Sequence, residues 1–242
     1  MNPLPYLSII IPARNEAQRL PRTLEQVFAF TQAQPWPSEI IVVENGSTDR
    51  TAEIVRTTAA NHPELKLISE TLPGKGRAVR TGMLAASGQY RFMADADLSM
   101  PFEEITRFLP PHFPDVPIII GSREAPGAVR YNEPNYRHFG GRFINTSIRL
   151  LALPGLQDTQ CGYKCFRADA ARDLFSRQRL TGWSFDIEIL YIARLRGCRI
   201  VELPIPWHYQ SASKVRPVRD ALRMIADIFQ IRRNARLGYY NA

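Results

Sequence analysis

Five short runs dominated by apolar residues recur along the chain, at Tyr6–Ala13, Glu39–Asn45, Leu65–Glu70, Tyr90–Asp97 and Ile118–Arg123. Runs this continuously apolar fit strands covered on both faces of a parallel sheet. The segments between them switch to helical spacing. Leu20, Leu24, Val27 and Phe28 share one helical face, and Ser47 or Asp49 can cap a helix carrying Ile54 and Val55. Val79, Met83 and Leu84 mark a third helix. Alternation of this kind predicts an α/β fold, a doubly wound and mostly parallel sheet flanked by helices.

Beyond Arg123 the rhythm loosens. Gly, Pro and Asn in EAPGAVRYNEPNYRHF predict a mobile loop that borders a site. Helices are expected around Phe143–Ala152 and Phe185–Leu195, and a strand within Cys198–Tyr209. Near the C-terminus, Val218, Leu222, Ile225 and Phe229 form a helical stripe widened by Ala221, Met224 and Ile228. Arg219, Arg223, Arg232, Arg233 and Arg236 lie around or beyond it. A basic amphipathic helix of this kind suits an anionic membrane surface, and it equally suits packing on the main domain. The pattern divides the chain into a main domain over 1–210 and a loop with a C-terminal amphipathic helix over 211–242.

Composition narrows the partners. An apolar fraction of 45% with 22% charged residues belongs to an ordinary globular chain. The net charge of +8 favours anionic partners: nucleic acid, a membrane surface or phosphorylated small molecules. Nucleic acid is disfavoured, because no recognition helix or aromatic-basic sheet signature is present. A dinucleotide oxidoreductase is disfavoured as well, since no Gly-x-Gly-x-x-Gly follows the first run. The 3 cysteines and an N-terminus without a basic leader point to a reducing, cytoplasmic setting. CGYKC lacks the second Cys or His pair that a zinc site needs. No apolar run reaches the length that spans a bilayer, and a homodimer is left open.

The candidate chemistry centres on RFMADADLSMP. If the fourth strand runs through Asp97, Asp95 and Asp97 project to one side and Ala96 to the other. At the carboxyl end of such a strand they would make a hard oxygen site for Mg²⁺ or Mn²⁺ bridging substrate phosphates. The alternative is a pair of caps for a helix near Pro101. In PARNE, Pro12, Ala13, Asn15 and Glu16 follow the first strand and can hold a nucleotide base and ribose, or cap the next helix. PGKGRAVRTG sets Lys75, Arg77 and Arg80 among glycines, where they can meet phosphate or start a solvated basic helix. It is no Walker loop.

SIIIPARNE, IIVVENGSTDRT, PGKGRAVRTGM, ADADLS, GSR, DTQCGYKCF and SKVRPVRDALRM, in this order, resemble family 2 glycosyltransferases of the GT-A fold. More narrowly, they resemble the branch of dolichyl-phosphate β-glucosyltransferases and polyprenyl-phosphate mannosyltransferases. The resemblance implies a catalytic domain over 1–210 that moves a hexose, with inversion, from a nucleotide sugar to a lipid phosphate. UDP-glucose is the first donor expected and GDP-mannose the second, with a soluble phosphorylated or glycan acceptor as the alternative. It puts Pro12, Ala13, Asn15, Glu16, Glu44, Lys75, Asp95, Ala96, Asp97 and Arg123 along the nucleotide sugar. Glu44 replaces the family's usual aspartate, which leaves the base in question. Asp95 and Asp97 are implied metal ligands, and Ser99 stands where a better ligand can occur. Arg123, Arg137, Ser213, Lys214 and Arg216 match positions that meet donor or acceptor phosphate. Asp97, Asp158 and Asp186 are the catalytic candidates, the latter two as bases. Asp186 and Glu188 do not share a helical face, so Asp186 can instead pair with a nearby basic residue while Glu188 orders the acceptor loop. A phosphate acceptor needs no base, because its second pKa near 6 leaves it largely dianionic. The setting implied is cytoplasmic, peripheral at the cytoplasmic membrane face.

Overall fold

A computed structural model describes residues 4–134, 145–146, 148–210 and 217–241, with backbone alone for 217–220. Its elements run β1 (Leu7–Ala13), α1 (Leu20–Gln32), β2 (Ser38–Asn45), α2 (Thr51–Ala59), β3 (Leu65–Glu70), α3 (Lys75–Ala85) and β4 (Tyr90–Met93). A 3₁₀ turn (Phe102–Phe108), β5 (Ile118–Ser122), β6 (Val129–Tyr131), β7 (Lys164–Arg167), α4 (Ala168–Arg177) and α5 (Phe185–Leu195) follow. The last elements are β8 (Ile200–Pro204), β9 (Pro206–His208) and α6 (Pro217–Arg236).

A 7-stranded sheet in the order β3-β2-β1-β4-β7-β5-β8 carries the fold, and β6 pairs with β9 in a small second sheet. The pairings are parallel except those of β7, which runs antiparallel between β4 and β5. Period-2 alternation sorts the apolar residues into two cores. Ile9, Ile40 and Phe92 stand in register and enter the core under α1 and the 3₁₀ turn. Ile10, Ile41 and Met93 enter the other core, with residues of α3, α4, α5 and α6. Each such side chain contributes about 1.5–3 kcal/mol of burial. This explains why the central strands read as unbroken apolar runs.

Three features differ from the sequence reading. The fourth strand stops at Met93: Ala94 N–H still donates to Ile10 at 3.0 Å, and a turn at residues 96–97 leads into Leu98 at φ 56°. Asp95 and Asp97 are therefore loop residues, and strand alternation does not aim them. Nor does either cap the 3₁₀ turn, which has no side-chain cap. Second, β7 and α4 had no apolar run to mark them, because KCFR is bounded by charges. Third, α6 buries Met224, Ile228 and Ile231 in the second core, whereas Leu222 and Phe229 face outward. The helix is thus a structural layer of the fold, with a separate apolar strip outside. No helix among the described residues is long and apolar enough to cross a membrane.

Candidate active site

The carboxyl ends of β1, β2 and β4 open toward the loops that carry most of the candidate residues. At the end of β1, Asn15 adopts φ 53° and its side-chain oxygen accepts from Thr48 N at 2.8 Å, while Asn15 N donates to Ser47 Oγ at 3.0 Å. Glu16 N donates to Thr51 Oγ1 at 2.9 Å, and Glu16 pairs with Arg19 at 2.7 Å. The Glu44 carboxylate, buried at the end of β2, accepts from Ser47 N. The PARNE loop and the ENGST loop are thereby knitted into one rim, with Pro12 and Ala13 at the end of β1 beneath it.

The charged centre lies beside this rim. Gly74, at φ 152°, turns the chain into α3 where a Cβ would lie 2.5 Å from Thr181 O. The next residue, Lys75, sets its ammonium 2.6 Å from Asp95 Oδ1 and 5.2 Å from the Trp183 ring centroid. From the other side Gly162 presses on Asp95, since a Cβ there would come within 2.2 Å of Oδ2. Burial pushes the Asp95 carboxyl up, but Lys75, with help from Lys164 and Arg123, outweighs it and holds Asp95 ionised. Burial likewise pulls Lys75 down, and Asp95 and then Asp186 more than offset this.

Asp97 contrasts with its neighbour. One of its oxygens accepts from Ser99 N at 3.0 Å, and its carboxyl is raised by burial and by the negative charge of Asp95. Ala96 between them is buried.

The two remaining catalytic candidates are already paired. Arg123, at the end of β5, grips Asp158 with Nε at 2.6 Å and one terminal nitrogen at 2.9 Å, and its backbone N–H adds a contact at 3.0 Å. Burial raises the Asp158 carboxyl, yet Arg123 brings it to about 2. A carboxylate so held does not accept a proton near neutrality. Asp186, at the start of α5, pairs with the buried Lys164 at 2.7 Å. Burial keeps the Asp186 carboxyl above its ordinary value despite Lys164 and Lys75. Arg80 does not reach the site, because its Nε donates to Phe175 O at 3.0 Å. Arg137, Ser213, Lys214 and Arg216 lie outside the described residues. Sequence reasoning missed Lys164, whose buried ammonium also donates to Cys161 O at 2.5 Å, together with Gly162 and Trp183. The glycine and lysine of QCGYKCF carried the signal; the pairings could not be read from it.

Among the described residues, no group of three or more His, Cys, Asp or Glu side chains is arranged to hold a metal. The donor chemistry still fits a divalent cation that takes most of its ligands elsewhere. Asp97 is a half-buried carboxylate disfavoured as an anion, next to a second one, and Mg²⁺-type ions bind through one or two carboxylates plus substrate phosphates.

The model of glycosyl transferase family 2 matches residues 8–175. The chain belongs to that family. A dolichyl-phosphate beta-glucosyltransferase of Trichomonas vaginalis is 34% identical over 97% of this chain and 73% of its own length. The Drosophila melanogaster dolichyl-phosphate beta-glucosyltransferase is 34% identical over 93% of this chain and 74% of its own. Among solved structures, Mycobacterium tuberculosis glucosyl-3-phosphoglycerate synthase in complex with Mn²⁺ and UDP-glucose superposes with a TM-score of 0.65. It is 18% identical and covers 94% of this chain and 77% of that one, a likeness of fold. The likeness to that solved structure accounts for the fold.

Proposed function

We propose that this family 2 chain transfers glucose from UDP-glucose to a dolichyl or other polyprenyl phosphate, inverting the anomeric carbon. The observation that carries the reading is one shared name: relatives 29–34% identical over most of this chain are dolichyl-phosphate beta-glucosyltransferases.

The site chemistry supports it. The rim of Pro12, Ala13, Asn15, Glu16 and Glu44 receives the nucleotide, and Lys75 with Arg123 faces its diphosphate. Asp95 and Asp97 would hold Mg²⁺ or Mn²⁺, which supplies positive charge against the departing diphosphate. An oxygen of the acceptor phosphate bonds to the anomeric carbon as the bond from that carbon to the UDP oxygen breaks, its electron pair leaving on UDP. No proton has to move, because the acceptor is already ionised. Asp158 therefore serves to fix Arg123, and Asp186 to fix Lys164. Arg137, Ser213, Lys214 and Arg216 are proposed for the acceptor side on their motif match.

A lipid acceptor also requires access to a membrane. The outward strip of α6 and the turn after it, with Leu222, Phe229, Leu237 and Tyr239 exposed beside Arg223, Arg233 and Arg236, suits an anionic interface. Salt-sensitive co-sedimentation with anionic vesicles is expected, and absence of binding at low salt would remove this part.

The deciding experiment incubates the protein with UDP-glucose or GDP-mannose, Mg²⁺ or Mn²⁺, and either dolichyl phosphate or a soluble sugar phosphate, and identifies products by mass. Glucosyl phosphoryl dolichol from UDP-glucose is expected. A product formed only on the soluble acceptor would overturn the lipid reading.

A further inference from the structure

Glu188 is fully buried on α5, and its hydrogen-bonding partners are two backbone N–H groups and a phenol. Oε2 accepts from Arg179 N at 3.0 Å and Leu180 N at 2.7 Å. Oε1 accepts from the hydroxyl of Tyr240 at 2.7 Å. Tyr240 sits in the turn after α6, itself buried, and takes a second hydrogen bond from Asn234 Nδ2 at 3.2 Å. Arg177 Nε reaches the Tyr240 carbonyl at 3.1 Å, and Arg179 stacks its guanidinium 4.6 Å from the Tyr239 ring centroid. A buried carboxylate is costly unless its bonds are needed, so what it holds matters.

It holds the segment that backs the glycine loop. Gln178 Nε2 bridges Leu180 O at 2.7 Å and Gly76 O at 2.8 Å, and Arg77 N donates to Thr181 O at 3.2 Å. A Cβ at Gly74 would lie 2.5 Å from Thr181 O, and one at Gly76 would lie 2.8 Å from Gly182 O and 2.9 Å from Leu180 O. The loop thus has no clearance on this side. Lys75, between those two glycines, is the residue that meets Asp95.

We infer that Tyr240 and Glu188 are positioning residues: through the 178–182 segment they set the place of Gly74, Lys75 and Gly76 against the donor diphosphate. The inference rests on the proposed nucleotide-sugar site and names residues remote from it that tune donor binding.

The test uses Y240F, which removes one hydroxyl and keeps the ring, and E188Q, which keeps an acceptor for the backbone N–H groups. Hydrogen exchange on the ligand-free protein and UDP titration are measured for both and for wild type. In Y240F, amide exchange across 74–82 and 178–182 should accelerate, and the Kd for UDP should rise about three- to tenfold, the worth of one hydrogen bond. Turnover at saturating donor should stay within about twofold, and E188Q should fall between Y240F and wild type. Wild-type exchange and UDP affinity in Y240F, with only a lowered melting temperature, would overturn the inference. If wild type binds no UDP, the functional reading fails instead, and the exchange data still decide the positioning claim.

Discussion

The sheet carries a carboxylate cluster at each end, buried around Glu39 and half-buried at Asp95 and Asp97, and the two are built differently. At the amino ends of β1, β2 and β3, Glu39 is saturated: it accepts from Ser8 Oγ at 2.6 Å, Ser87 N at 2.6 Å and Ser87 Oγ at 2.8 Å, and pairs with Lys66 at 2.7 Å. Burial raises its carboxyl, but Lys66 and the serines bring it to about 2. At the carboxyl end, Asp95 has Lys75, while Asp97 is pushed up by burial and by Asp95. The first cluster is complete within the protein and staples the strands. The second carries excess acidic charge that a bound cation and diphosphate would complete. Glu39 is satisfied by the protein alone, whereas the carboxyl end is where we propose the donor binds, as the placement of ligands in open α/β sheets leads one to expect.

The sharpest way to break the contrast is D97N. It should lower transfer by at least about a hundredfold, roughly 2.7 kcal/mol of transition-state stabilisation. The melting temperature should stay close to wild type, since Asp97 contributes little to packing; unchanged turnover at saturating metal would refute the assignment. D158N comes next, because it leaves the part-buried Arg123 charge without its fully buried partner. A stability loss of about 3–5 kcal/mol is expected in chemical denaturation, with donor affinity falling in parallel.

E39Q tests the saturated end. It should cost about 1–3 kcal/mol at neutral pH while the folded variant keeps wild-type kcat. The pH dependence has a definite sign. The folded-state carboxyl is depressed from 4.5 to about 2, so its stabilisation is full above 4.5 and is lost as pH falls toward 2. The gap between wild type and E39Q should close over that window, and a constant gap would show that the charge is irrelevant. K66A is the mildest change. The Lys66 side chain is 56% exposed, so solvent screens the pair and the loss should stay under about 1 kcal/mol.

How much of this could be read from the chain follows from where each signal lies. Strands covered on both faces must be apolar throughout, so β1, β2 and β5 were visible as runs, while the part-exposed edge strand β3 was marked only by Leu65, Leu67 and Ile68. β7 is as buried, yet its Lys164 is neutralised by Asp186, a residue distant in sequence, and nothing local announces that pairing. The same holds for Arg123 and Asp158, both singled out by their motifs, though not as partners of each other. The amphipathic stripe of α6 was legible, but not which side the core would take. Motif order named candidate residues; the fold decided which charges cancel and which remain.

The most direct test of that last point is a calorimetric titration of UDP into wild type, E39Q and D97N, each with and without Mn²⁺. Wild type and E39Q should bind UDP more tightly when Mn²⁺ is present, and D97N should lose that gain while its metal-free affinity holds. Equal enhancement by Mn²⁺ in D97N, or none in wild type, would contradict the account.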